Sequence, residues 1–100
     1  MKIDVNTQLL NLDHTPAMVG DQPLTARRIL IDSLMLSHDD DARMSGKDKV
    51  RLVKLALKID AEDEPDFPAE DVSFLVARVD KMCPPLTVYR IREILDPASL

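Results

Sequence analysis

Seven carboxylates fall within the twelve residues from Asp60 to Asp71: Asp60, Glu62, Asp63, Glu64, Asp66, Glu70 and Asp71. At that density carboxylates hold a cation, accept charge-assisted hydrogen bonds from another molecule, or stand in water as a solvated linker. A calcium loop needs a glycine at its sharp turn and ligands at alternating positions. This span has no glycine and is interrupted by Pro65 and Pro68, so no metal site is expected. Two readings remain: a linker between helices, and a docking surface for a partner rich in Lys and Arg, to which separate carboxylates offer additive contacts. The candidate residues for docking are Asp60, Glu62, Asp63, Glu64 and Asp66, with Phe67 and Tyr89 as aromatic anchors. Phe67 has a competing role as the apolar staple ahead of the following helix.

The other reactive residue types do not assemble into a site. Lys47, Arg51, Lys54 and Lys58 line one side of a helix, as a phosphate-reading face would. However, the chain carries 18 acidic against 13 basic side chains, a net charge of −5, and no aromatic residues interleave with that stripe. Direct nucleic-acid binding is not expected, because its affinity is led by phosphate neutralisation. Pairing with local carboxylates, or with an acidic patch on a partner, is the expected role. His38 is followed by Asp39, Asp40 and Asp41, but neighbours in a loop do not converge on one centre, and His14 beside Asp13 reads as turn chemistry. Ser33, Ser45 and Ser73 have no histidine at a recognisable spacing, and Gly20 and Gly46 are isolated, which leaves neither a nucleophilic triad nor a phosphate-cradling loop. Cys83 is the single cysteine, which excludes an internal disulfide, a thiolate zinc site and a Cys-X-X-Cys pair. Arg27, Arg28, Arg90 and Arg92 read as solvation of helix faces. No catalytic, cofactor-binding or metal-ligating set is expected, and the function narrows to binding.

A domain that presents such a surface must be built from what remains. One hundred residues suit a single domain spanning 1–100, and with only Phe67, Phe74 and Tyr89 as aromatics the core must be aliphatic, which favours packed helices. The alternation of Ile3 and Val5 with polar neighbours, the turn at Asp13-His14-Thr15-Pro16 and the Gly20-Asp21 pair predict a β-hairpin or irregular β arm over 1–22. Two strands alone are marginal, so this arm must lie on the helices. A helical body over 25–97 follows. Thr25 caps a first helix over Ala26 to Leu36; Ser45 with Asp48 opens a second over Gly46 to Ile59; Pro68 begins a third. In the third, Val72, Leu75, Val76, Val79 and Met82 recur at helical spacing until Cys83-Pro84-Pro85. Thr87 caps a fourth, with Val88, Ile91 and Leu95 on its inner face and Asp96-Pro97 at its end. The expected class is mainly α (α+β): four helices with a short amino-terminal β element. No run approaches the ~18 apolar residues of a membrane span and the amino terminus has no secretory character, so a cytoplasmic protein without membrane contact is expected.

The order of MKIDVN, LDHTP, PLTARRILIDSLML, SGKDKVRLVKLALKI, AEDVSFLVARV and PPLTVYRIREIL resembles a set of small bacteriophage and prophage proteins of unassigned function. The resemblance covers nearly the whole chain, and its motifs are caps and turns. In size, acidity and helical make-up with a β arm, the chain is also similar in type to anti-CRISPR proteins, which bind the host's crRNA-guided complex and block target DNA. That resemblance implies a phage-encoded stoichiometric inhibitor acting in the host cytoplasm, its carboxylates occupying a Lys/Arg groove that otherwise holds DNA phosphates. The competing class is an accessory of virion or tail assembly, such as a chaperone that masks apolar surface. Either is compatible with a homodimer.

Overall fold

The computed structural model describes residues 1–100, and its helices begin where short polar caps and prolines place them. Thr25 accepts from the Arg28 amide (3.4 Å) and opens α1, Ala26–Met35. Ser45 accepts from the Asp48 amide (3.1 Å) and opens α2, Gly46–Ala61. Between them, His38 caps a short 3-10 turn over Asp39–Arg43. Pro68 occupies the cap position of α3, Ala69–Met82, one place earlier than expected, with Glu70 and Asp71 in the positive first turn. In α4, Pro85–Leu95, Thr87 is not the cap: Pro85 takes the first helical position, where its fixed φ and missing N–H carry no penalty. α2 runs two residues past Ile59, which puts Asp60 on a helix rather than in the linker.

The amino-terminal hairpin is present and small. β1, Met18–Val19, pairs antiparallel with β2, Gln22–Pro23, with Met18 opposite Pro23. Gly20 takes a φ of 63° at the first central turn position, a backbone state that costs glycine little. Ile3 and Val5 do not belong to this hairpin. Their segment pairs instead with the chain between α2 and α3: the Ile3 amide donates to the Pro65 carbonyl (3.1 Å), the Val5 amide to the Asp63 carbonyl (3.1 Å), and the Phe67 amide to the Met1 carbonyl (2.8 Å). The alternation seen in the sequence is thereby used, since Ile3 and Val5 point inward and are fully buried.

Fifteen apolar residues form the core, among them Ile3, Val5, Leu30, Leu34, Leu55, Ile59, Phe67, Leu75, Val79, Ile91 and Leu95. α1 packs against α2 and α3, and α4 closes on α3. No helix is long and apolar enough to cross a membrane.

One cation enters this interior. Arg78, on the inner face of α3, is 5% exposed. Its Nε donates to the Ser33 carbonyl (2.6 Å) and its Nη2 to the Leu36 carbonyl (2.8 Å) at the end of α1. The same fork grips both oxygens of Asp41, at 2.6 and 2.8 Å. Asp41 also accepts from the His38 amide (2.8 Å). The hydrogen bond from Arg78 comes first, and that from His38 second, in holding the Asp41 carboxyl well below its ordinary 3.8, against the opposing cost of desolvation. The expected solvated turn after α1 is thus half solvated: Asp39 and Asp40 face water and Asp41 faces in.

Removing one member of such a pair leaves the other charge without compensation. Arg78→Met is expected to lower the unfolding free energy by about 3 kcal/mol, read from urea denaturation at unchanged slope. Because the folded Asp41 value lies below 3.8, its contribution is complete above about pH 4 and drains away as pH falls further. Asp41→Asn should therefore be less stable at neutral pH and lose less than the parent on acidification, measured by thermal melts between the two conditions.

Candidate functional site

The acidic span is held in place by an arginine from another helix. Arg27 of α1 donates its Nε to the Ile59 carbonyl (3.1 Å), one of the groups that the end of α2 leaves without an intrahelical partner. Its Nη2 reaches the Glu62 carbonyl (3.0 Å) and the Asp63 Oδ1 (2.9 Å), and its Nη1 reaches Asn6 Oδ1 (2.9 Å). Asn6 in turn donates to Asp63 (3.1 Å). The Arg27 hydrogen bond, then that of Asn6, pulls the Asp63 carboxyl below its usual range. Asp66 accepts from the terminal amine (2.7 Å), which lowers its pKa in the same sense. Lys58 donates to the Asp66 carbonyl and lies 4.7 Å over the Phe67 ring. Asp71 pairs with Arg51 at 2.7 Å, and the Arg51 guanidinium also stacks 4.3 Å over Phe74, which fastens α2 to the start of α3.

The seven carboxylates therefore divide by role. Asp63, Asp66 and Asp71 are spent on the fold. Asp60, Glu62, Glu64 and Glu70 are exposed and take part in no ion pair; the first three share one short ridge with Asp63 and Asp66, and Glu70 stands apart in the first turn of α3. What the ridge offers is three free anionic side chains on a backbone fixed from both sides, by Arg27 and by residues 1–5. Such a surface accepts hydrogen bonds from guanidinium and ammonium groups without first ordering a loop.

The two aromatics part company. Phe67 is 1% exposed and belongs to the core, so it is no partner anchor. The reason lies in its position: preceding the Pro68 cap, it lines the same hollow as Val72, four residues into α3, as an apolar staple does. Tyr89 is 48% exposed on α4 with the Arg90 guanidinium 5.8 Å from its ring, and no hydrogen bond or ion pair links it to the ridge.

The arginines thought to solvate helix faces are mostly fasteners. Arg90 donates to the Leu10 and Asn11 carbonyls, both at 3.0 Å, and ties the arm to α4. Arg92 donates to both oxygens of Asp80, at 2.5 and 3.2 Å, and joins α4 to α3, and this hydrogen bond to the Asp80 carboxylate raises the Arg92 pKa. Only Arg28 stays on the surface, paired with Asp32 one turn on. Lysines behave differently. Lys47, Lys49 and Lys54 of α2 are exposed and in no ion pair, beside the exposed aliphatic residues Val50, Val53 and Leu57. Nothing in the local sequence distinguishes these arginines from surface charges, because their partners lie 12 to 80 residues away in the chain.

Elsewhere, Ser33 and Cys83 hydrogen-bond each other (3.4 Å), and His38 Nδ1 accepts from the Asp40 amide (3.2 Å). No group of three or more His, Cys, Asp or Glu side chains is arranged to hold a metal ion. Comparison with family models, with curated proteins and with solved structures finds no match to this chain.

Loss of the Arg27 fork should release the ridge without dissolving the helices. Arg27→Ala is expected to cost about 2 kcal/mol, since it removes hydrogen bonds to a charged group. In hydrogen exchange, the Ile3, Val5 and Phe67 amides should lose protection well before those of α3.

Proposed function

We infer that this chain is a stoichiometric binding protein whose free carboxylates dock on a Lys/Arg-rich surface of a protein partner. The single observation that carries the reading is the division of the acidic span: Asp63 and Asp66 fix the backbone while Asp60, Glu62 and Glu64 project from it unpaired. A solvated linker has no need of an arginine fork and a paired strand beneath it. Of the partners with such surfaces, a nucleic-acid machine offers the densest array, a groove lined with cations to receive phosphates. The resemblance to small phage proteins and, in type, to anti-CRISPR proteins makes a crRNA-guided host complex the partner of choice, with target DNA excluded by competition. In this reading the protein is phage-encoded and acts in the host cytoplasm, at one copy per binding site and without turnover.

A second reading, an accessory of virion or tail assembly, is favoured by a different observation. Leu12, Met18 and Tyr89 are exposed at 81%, 54% and 48%, apolar side chains in positions to cover apolar surface on a structural protein. Salt separates the two. Charge-led docking weakens as ionic strength rises, and apolar masking does not.

Capture of the tagged protein from phage-infected cells at low and high salt, with partners identified by mass spectrometry, is the test. A crRNA-guided complex recovered at low salt and lost at high salt is the expected result. The combined variant Asp60→Asn, Glu62→Gln, Glu64→Gln should weaken that capture by about tenfold, three exposed pairs at several tenths of a kcal/mol each. Undiminished capture by this variant would discard the ridge as the interface, and recovery of tail or capsid proteins insensitive to salt would transfer the case to virion assembly.

A further inference from the structure

α2 is apolar on two sides. Leu52, Leu55, Ala56 and Ile59 face the core, while Val50, Val53 and Leu57 lie on the far side, exposed at 53%, 46% and 63%. Scattered surface aliphatics are ordinary, but three at offsets of three and seven on one helix form a seam of the kind that packs against another helix. Met35 and Leu36, also exposed, line a hollow together with Lys49 and Val53 and widen the apolar area on that flank.

The charges beside the seam indicate what covers it. At 100° per residue, Lys49 and Asp60 are eleven residues apart and so fall on the same flank of the seam, near its two ends. Both are exposed and neither has an ion-pair partner within the chain. When two copies of one helix pack antiparallel about a two-fold axis, each flank meets the same flank of the other copy. If Val53 of each copy faces Leu57 of the other, then Lys49 of each comes level, to within one residue, with Asp60 of the other. One register thus brings Val53 against Leu57 and Lys49 beside Asp60 together, with Val50 at the edge of the contact, and a parallel arrangement satisfies the apolar positions only. We propose that the outer face of α2 is the contact of a two-fold dimer of this chain, its two α2 helices antiparallel.

On the opposite flank Lys54 comes within two residues of its counterpart in the other copy and repels it, so the dimer is weak and forms at micromolar concentration or above. Asp60 is shared between this contact and the acidic ridge, so dimer formation and docking of the ridge on a partner compete for it, and Leu57→Glu, which leaves every carboxylate of the ridge in place, separates the two.

Sedimentation equilibrium of the full chain over micromolar to millimolar concentration tests it. The average mass should climb from 11.2 kDa toward twice that value. Leu57→Glu, at a position already in water, should keep the parent's circular dichroism and raise the dissociation constant by about tenfold or more, since each dimer contains the change twice. Lys49→Asp alone and Asp60→Lys alone should each weaken association several-fold, and the two combined in one chain should restore it. A chain that stays at 11.2 kDa throughout overturns the proposal and leaves the seam to a different protein. So does a dimer indifferent to Leu57→Glu, and a double charge swap that fails to restore association rules out the antiparallel register.

Discussion

A buried cation is tolerated only where each of its nitrogens finds an acceptor, and the fold is arranged around meeting that condition for Arg78. Its fork spans three pieces of chain: the last turn of α1 through the Ser33 and Leu36 carbonyls, the 3-10 turn through Asp41, and α3 through its own backbone. α1 ends without a glycine or a left-handed residue to satisfy its last carbonyls, so the donors have to come from elsewhere. Lysine would not serve, because one ammonium on a flexible stem cannot meet a bidentate carboxylate and two carbonyls in one plane. The angle between α1 and α3 is in this sense set by a guanidinium as much as by the apolar contacts around it.

The same solution recurs at lower burial. A core of fifteen apolar residues containing a single aromatic is thin for one hundred residues. The connections between elements are correspondingly made by arginines reaching to backbone carbonyls: Arg27 to the end of α2, Arg90 to the arm, Arg92 from α4 to Asp80 of α3. Each meets a carbonyl or carboxylate that water would otherwise solvate. Lys47, Lys49 and Lys54, which take no part in such links, gather on the exposed side of α2, while unpaired carboxylates gather at and just past its end. The polarity of the surface is therefore a by-product of which basic residue type the interior recruits.

Four helices, three of their starts and a short amino-terminal β element were legible in the sequence because each depends on residues within a few positions of one another, although Gly20-Asp21, read as the end of the arm, is the turn between its strands. Thr25, Ser45 and Pro68 act locally, and their positions held to within one residue; Thr87 was misread because a proline two places earlier outranks a threonine as a helix opener. What was not legible depends on partners far apart in the chain. Arg78 falls on the inner side of a helix where a side chain with a charged end is normally excluded, and only the unforeseeable approach of Asp41 makes it acceptable. Phe67 beside charged residues reads equally as an anchor or a staple until the pairing of residues 1–5 with the linker closes over it. Likewise the acidic run carries no local mark that separates Asp63, held by Arg27, from Glu62 and Glu64, held by nothing.

That pairing between the first residues and the linker also imposes an order in time. Ile3 and Val5 are synthesised before α1, yet the carbonyls of Asp63 and Pro65 that receive their amides are made only after α1 and α2 have been completed. Until then the segment is an unpaired edge bearing the apolar side chains of Ile3 and Val5. The loop is long, so its closure adds little entropy cost beyond that of a shorter one, but it forces a wait. Ile3 and Val5 therefore have no backbone partner from this pairing until the segment after α2, which also carries Phe67 into the core, has been made.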